Sequence, residues 1–331
     1  MSGGFLDTAR CVLAQYPVIV RDIRVIQGEA KKAIWLVATD RGALALKRHA
    51  RPVRRVVFSL CAQEYISLRG GRVPCLLRPD GDSLHVEEEG MAFSLSSWVE
   101  GRQLVLEREE DLFMALEALG HFHRSSQGFK IPAGVQVSTK LGKWPHHYSS
   151  MIQRLSEWRQ VASERGGTLG HIYQRLAPEM LDMATEALAL LEGSGYGQWV
   201  EQASVTGNLC HQDYGQGNAI MGDGGVWIID LDDITLDLPA RDLRKITNKA
   251  MERRGGWDGP LFLAMMEAYE RERPLSDSEK RVLFVDLLFP HVFHDTAKNP
   301  FRKGKATSAS KIEEAFALER SKRQAILPLL G

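Results

Sequence analysis

The chain is poor in cysteine. Its four residues, Cys11, Cys61, Cys75 and Cys210, lie far apart and form no Cys-x-x-Cys pair. That spacing excludes a disulfide framework and a structural zinc cluster, and it fits a reducing compartment, so a cytoplasmic protein is expected. His121-x-His123 and His146-His147 are likewise too far apart in sequence to supply zinc-ligand spacing. Net charge is also missing: 42 Lys and Arg balance 42 Asp and Glu, which removes the basis for general binding to nucleic acid or to a membrane surface. No apolar run approaches bilayer length, and no basic segment near the N-terminus leads into a long apolar stretch. Neither a membrane helix nor a secretory signal is therefore expected. An internal repeat on the roughly 20–50-residue scale of solenoids is absent as well.

What is present is a 331-residue chain with an ordinary globular share of apolar residues, 44%, long enough for two domains or one unit with a cleft. Its neutrality conceals a pattern. Residues 1–99 carry 14 Lys and Arg against 10 Asp and Glu, residues 240–331 carry 18 against 13, and residues 100–239 reverse the sign with 10 against 19. The acidic middle is either the surroundings of a cation site or solvated helix surface.

That middle section holds the most informative stretch, Leu209 to Asp233. Strand-like runs at Ala219–Met221 and at 226–229 flank Gly222-Asp-Gly-Gly225, the signature of a tight hairpin. A hairpin returns the chain to its start, so it brings together Asp213 before it, Asn218 at its entry and Asp230 at its exit. Few, hard oxygen donors of this kind suit Mg²⁺, which keeps water and phosphate as its other ligands.

Upstream, strands are expected over Val18–Ile26, Ala33–Thr39 and Ala43–Lys47, after a short helix over 5–16. Alternation puts Leu44 and Leu46 on one face of the third strand, and Ala43, Ala45 and Lys47 on the other. Lys47 beside small residues leaves room for a flat ligand; a solvent-facing lysine on an edge strand is the competing reading. A helix from Pro52 to Arg69 carries Val53, Val57, Leu60 and Leu68 on one stripe, with Glu64 on the same stripe. A carboxylate on a buried face needs a cation, and Lys47 is the nearest candidate. Otherwise Glu64 lies solvated at the rim.

Strands follow at Val73–Arg78, from Ser83 and at Met91–Trp98. Helix-period apolar residues then run through 109–124, 148–164, 171–192, 240–253, 259–271, 277–294 and 309–327. Turns are expected at 166–167 and 193–197, and a mobile loop at 299–310. The change of texture sets the expected domains: a β-rich N-terminal lobe, 1–99, and a larger helical C-terminal lobe, 100–331, in an α+β fold.

The order of strand lysine, helix glutamate, His211-x-Asp213-x₄-Asn218, hairpin and Ile229-Asp230-Leu-Asp232 resembles the protein-kinase-like fold, in its aminoglycoside-phosphotransferase and choline-kinase branch. The resemblance covers the whole chain. It is closer still to the spore-coat kinase-like proteins of the CotS type, through Asp237-Leu-Pro-Ala-Arg241-Asp242, Arg273-Pro-Leu-Ser and Leu287-Leu-Phe-Pro-His291.

The resemblance implies a two-lobed fold and an ATP/Mg²⁺-dependent transfer of phosphate to a hydroxyl. Asp213 takes the acceptor proton, Asn218 and Asp230 hold Mg²⁺, and Lys47, fixed by Glu64, contacts the nucleotide phosphates. Ser97, Trp98 and Val99 belong to the hinge that meets adenine, Ala45 lies over the ring, and Gly28 belongs to the phosphate-covering loop, 27–32. His211 is structural. Asp242 is either the buried aspartate tying the catalytic loop to the helical lobe or a plain N-cap. Asp232 either adds a metal contact or faces the acceptor.

Two departures bear on function. The phosphate loop has one glycine where protein kinases have three, and no activation segment ending in Ala-Pro-Glu is recognisable. A small hydroxyl compound is therefore a more fitting acceptor than a protein. The basic run Arg241, Arg244, Lys245, Arg253 and Arg254 suits an anionic or neutral acceptor better than a polycation. A coat-like resemblance adds other spore-coat proteins as partners and assembly into the coat as a destination. It also brings two competing readings: an idle structural coat protein on a kinase fold, and a protein kinase acting on coat proteins.

Overall fold

The computed structural model describes residues 2–28 and 32–330, so Glu29, Ala30 and Lys31 of the expected phosphate loop lie outside the described residues. In chain order the elements are α1 (Ser2–Leu13), β1 (Val20–Gly28), β2 (Ala33–Thr39), β3 (Gly42–Arg48), α2 (Val53–Leu68), β4 (Leu76–Leu77), β5 (Val86–Glu88), β6 (Met91–Ser97), β7 (Arg102–Gln103) and α3 (Glu109–Ser126). There follow α4 (Trp144–Arg165), α5 (Gly167–Glu192), α6 (Tyr196–Thr206), β8 (Leu209–Cys210), β9 (Ala219–Gly222), β10 (Gly225–Ile228), β11 (Thr235–Leu236), α7 (Ala240–Arg253), α8 (Gly259–Glu270), α9 (Asp277–Leu288), α10 (His291–Arg302) and α11 (Ala309–Ile326). The class is α+β, a sheet-rich N-terminal region followed by a mostly helical remainder. No described helix is long and apolar enough to cross a membrane.

The chain divides into two compact units. One comprises residues 1–105, 110–139 and 206–236; the other comprises 106–109, 140–205 and 237–331. The first is built on an antiparallel sheet in the order β1-β2-β3-β6-β4, with β5 also on β6. Every second residue of β2 is buried, including Trp35 and Val37. These pack with Leu44 and Leu46 of β3, Phe93 and Leu95 of β6 and Ala9, Val12 and Leu13 of α1 into one apolar cluster. The other face of β3 therefore carries Ala43, Ala45 and Lys47. Lys47 lies opposite Ser94 of β6, and Ala45 opposite Ser96.

In the same unit β9 and β10 form the expected hairpin, and β7 pairs with the free edge of β9. Glycine is required at this join. Gly101 has φ +153°, and a Cβ there would lie 2.0 Å from the Met221 carbonyl oxygen; a Cβ on Gly222 would lie 2.6 Å from that of Glu100. Arg102 of β7 makes a bidentate pair with the buried Asp111 of α3, at 2.6 and 2.7 Å.

Four expectations are corrected. The strand expected over Val73–Arg78 shrinks to the two residues of β4. The helix expected over 277–294 breaks between α9 and α10, because Pro290 has no amide proton and forces Phe289 into extended backbone at φ −62°, ψ 133°. The loop expected over 299–310 is shorter, since α10 runs to Arg302 and α11 begins at Ala309. The turn at 193–197 leads directly into α6, which buries Tyr196, Trp199 and Ala203 at helical spacing.

The second unit is helical throughout and contains a buried polar centre. Asp286 of α9, 2% exposed, receives hydrogen bonds from Tyr148 of α4 (2.5 Å), Arg244 Nε of α7 (2.8 Å) and His291 Nε2 of α10 (2.9 Å).

Candidate active site

The catalytic-loop stretch is held mostly through its backbone. Tyr214 is buried and its hydroxyl donates to the Ala115 carbonyl of α3 at 2.7 Å. His211, fully buried, donates from Nε2 to the Ile229 carbonyl at 2.9 Å, while its Nδ1 accepts from the Asp213 amide at 3.3 Å. One imidazole thus joins the residue before Asp230 to the backbone of Asp213. Asn218 Nδ2 donates to the Asp213 carbonyl at 2.9 Å, which leaves Oδ1 as the donor oxygen, and the Asn218 carbonyl accepts from Ile229 N at 3.0 Å. The hairpin therefore ties Asp213, Asn218 and the strand leading to Asp230 into one bonded set, with the Asp213 side chain itself exposed.

Backbone strain is concentrated here. Among the described residues three non-glycine residues have positive φ, and two of them are Gln212 (+70°) and Asp230 (+61°). Left-handed backbone at a non-glycine residue costs of order 1 kcal/mol or more and persists only where neighbours over-determine it. His211 and Asn218 supply that constraint.

Within the same unit the cations come from β3, the residues just after it and the residue before β2. Lys47 Nζ lies 2.7 Å from Asp230 Oδ1 and 2.7 Å from Asp232 Oδ1. Lys32 Nζ lies 2.8 Å from Asp230 Oδ2 and 4.0 Å from Asp232. His49, 3% exposed, places Nδ1 at 2.9 Å from Asp232 Oδ1 and Nε2 at 2.8 Å from Ser94 Oγ. An ionised carboxylate only accepts, so Nδ1 carries the proton and Ser94 donates to Nε2. Arg51 pairs with Asp233.

Electrostatics follow from this geometry. Burial by itself would raise the Asp230 carboxyl, but Lys47 and the Lys32 hydrogen bond outweigh it and hold it below the ordinary range. For Asp232 burial is outweighed by the His49 hydrogen bond and Lys47, and the carboxyl is held far below its ordinary value. Burial would lower Lys32, yet its bond to Asp230 leaves it raised. His49 is lowered, chiefly by burial.

The Lys47–Glu64 ion pair expected from the sequence is not formed: Glu64 accepts from Arg78 at 2.6 Å. The stripe on α2 was phased wrongly. Leu60 is buried as expected, but Leu68 is 81% exposed and Val53 and Val57 are half-buried; the helix buries Val56, Phe58, Ala62 and Ile66 besides, which leaves Glu64 at the rim. Asp242 is not an N-cap either; Pro239 occupies that position, and Asp242 is buried in the first turn of α7. In the expected hinge, Ser97 N donates to the Cys75 carbonyl at 2.9 Å and Trp98 N to that of Ala43 at 3.1 Å. Val99 follows directly, Ala45 is half-buried on β3, and Gly28 ends β1.

Lys32, His49 and Ser94 were missed. His49 stands two residues after Lys47 at the end of a strand, and Ser94 is the cross-strand partner of Lys47; period-two spacing and strand pairing were the available signals. Lys32 carried no periodic signal. Chemically, the set offers hard oxygens on Asp230, Asp232 and Asn218, two ammonium groups, and an exposed carboxylate on Asp213.

Comparison with known proteins bears on the family and the fold. Spore coat protein S of Bacillus subtilis (strain 168) is 27% identical over 317 residues, 94% of this chain and 90% of the relative. Among solved structures, an aminoglycoside phosphotransferase from Alicyclobacillus acidocaldarius superposes with a TM-score of 0.76 at 19% identity, covering 97% of this chain and 94% of that one. The AMP-bound complex of a spectinomycin phosphotransferase superposes with a TM-score of 0.55 at 12% identity, covering 94% of this chain and 98% of that one. These likenesses show a common fold. The profile of the phosphotransferase enzyme family matches residues 22–279, most of the length and every residue of the site from Lys32 to Asp232, and the chain belongs to that family.

Proposed function

We propose that the chain is an ATP- and Mg²⁺-dependent phosphotransferase that transfers phosphate to a hydroxyl of a small molecule or a coat component. The observation that carries the reading is the junction at which Lys47 Nζ stands 2.7 Å from oxygens of both Asp230 and Asp232, in a member of a phosphotransferase family. Phosphoryl transfer needs positioned charge more than covalent chemistry, and the site supplies charge of both signs on fixed elements.

Lys47 and Lys32 hold the nucleotide phosphates, and His49 with Asp232 keeps Lys47 in place. Asp213 orients the acceptor hydroxyl and takes its proton. At the hinge the Ser97 and Trp98 amides are already bonded, so Val99 presents the amide that meets adenine beside Ala45. Asp230 and Asn218 fit Mg²⁺: Asp230 gathers two ammonium groups, the mark of a carboxylate that concentrates positive charge, and Asn218 keeps Oδ1 available. Asp232, engaged by Lys47 and His49, supports the lysine. When bound, Mg²⁺ neutralises charge on the transferring phosphoryl group. Glu64, paired with Arg78, has no part in this reading.

The relative named for the spore coat supports a second reading, an idle coat protein on the same fold, and under the first it supports an enzyme that acts in or near the coat. ADP release from ATP–Mg²⁺, measured against sugars, amino alcohols and coat extract, separates the two. The phosphotransferase gives acceptor-dependent release; its absence across the whole panel overturns turnover and leaves the scaffold.

A further inference from the structure

The helical unit carries a cavity of about 490 Å³, well inside the ~300–1,000 Å³ of small-molecule sites. Its walls are cationic: seven Lys and Arg side chains line it against four carboxylates. The carboxylates are largely answered from within the protein. Asp286 is held by Tyr148, Arg244 and His291, and Asp237 by the Trp144 indole at 3.0 Å and its own following amide at 2.9 Å. Several of the cations are not. Among the described residues Arg154, Arg241 and Lys298 have no carboxylate partner. The buried Arg244 commits only Nε, so its two terminal nitrogens have no protein acceptor among those residues.

Two residues of the lining also carry buried polar atoms without a partner. Asn248 is 6% exposed, and its Oδ1 has no hydrogen-bond partner. His294 meets Asp295 through Nδ1 at 3.2 Å, while its buried Nε2 has none. Unpaired buried polar atoms are costly, and both of these accept from a hydroxyl. The field is felt by neighbouring groups as well. His147 is lowered by partial burial and then by Lys140, His146, Arg154 and Lys143, and His291 is lowered to about 4 by burial and Arg244.

We propose that this cavity binds a compact hydroxylated anion, a polyol or sugar bearing phosphate or carboxylate groups. The free guanidinium and ammonium groups answer the anion, and Asn248 and His294 answer hydroxyls. A polycation would meet a net excess of like charge, and a neutral sugar would leave the terminal nitrogens of Arg244 without an anion. Identifying this ligand as the phosphoryl acceptor rests on the phosphotransferase reading; its binding does not.

The test is calorimetric titration of the full chain at low salt with glucose 6-phosphate, gluconate, glucose and kanamycin. One or both anions bind at least ~10-fold more tightly than glucose or kanamycin, and the pair of anions distinguishes phosphate from carboxylate. Arg241→Glu and Lys298→Glu, at half-buried positions without partners, each weaken anion binding by ~10-fold or more without lowering the melting temperature. Failure of both anions to bind at millimolar concentration, glucose or kanamycin binding as tightly, or unchanged binding in both variants overturns the proposal. The ATP–Mg²⁺ melting shift is recorded on the same samples, so the two readings fail separately: its absence with anion binding intact sinks only the phosphotransferase.

Discussion

Replacing Asp213 with Asn or Ala should lower acceptor-dependent phosphoryl transfer by about 10²–10⁴-fold, the usual worth of a positioned acid–base group. The melting shift given by ATP–Mg²⁺ should remain. Both halves follow from how the residue is held. Its backbone is fixed by His211 and Asn218, and the next residue is anchored to α3 through Tyr214, so the loop keeps its shape without the carboxylate. The side chain is exposed and joins none of the lysine pairs at Asp230 and Asp232. Nucleotide contacts and acceptor chemistry are therefore separable by mutation. A rate within a few-fold of the parent would mean that Asp213 moves no proton. Simultaneous loss of the shift would mean that the residue belongs to the nucleotide site.

Asp286→Ala should destabilise the protein by roughly 3–5 kcal/mol, the cost of leaving buried charge unanswered. Arg244 and His291 would lose their common acceptor at a position 2% exposed. The same cluster sets an acid limit on stability. Burial would raise the Asp286 carboxyl, but Arg244 and then the His291 and Tyr148 hydrogen bonds bring it down to about 2. A depressed carboxyl contributes stability above its unfolded value near ~4, and loses it as pH falls toward the folded one. His291 is lowered to about 4, mainly by burial and Arg244. Between its unfolded value near ~6.5 and about 4, the unfolded chain takes a proton that the native chain refuses, so falling pH destabilises the fold by an amount of order 3 kcal/mol. Both effects run in the same direction. Urea unfolding between about pH 7 and about pH 4 should show a midpoint that falls steadily with acid, and a flat midpoint would contradict it.

The sequence was most legible where periodicity and chemistry coincide. Strand alternation put Lys47 on the open face of β3, and four glycine-rich residues announced the hairpin that gathers Asp213, Asn218 and Asp230. The reading failed where long-range packing decides. Glu64 shares a plausible stripe with Leu68, but burial is chosen by what the helix meets, and α2 turns Val56 and Ile66 inward while Leu68 faces out. Lys32 precedes β2 with no pattern around it, and only the fold shows that its ammonium reaches Asp230, 198 positions away. The basic run from Arg241 onward was visible, yet Lys140 reaches the same cavity from the residues before α4, and Arg154 from the middle of that helix. Charge composition cannot reveal such a convergence, because it records how many cations there are and not where they meet.

In the proposed reading Lys47, Asn218 and Asp230 form a nucleotide–metal site. It is tested most directly by the melting temperature of the full chain with and without ATP–Mg²⁺, beside the Asp230→Ala variant. The parent should show a saturable rise that requires both ATP and Mg²⁺ and is lost in the variant. No rise at millimolar nucleotide, or a rise of equal size in Asp230→Ala, would contradict it.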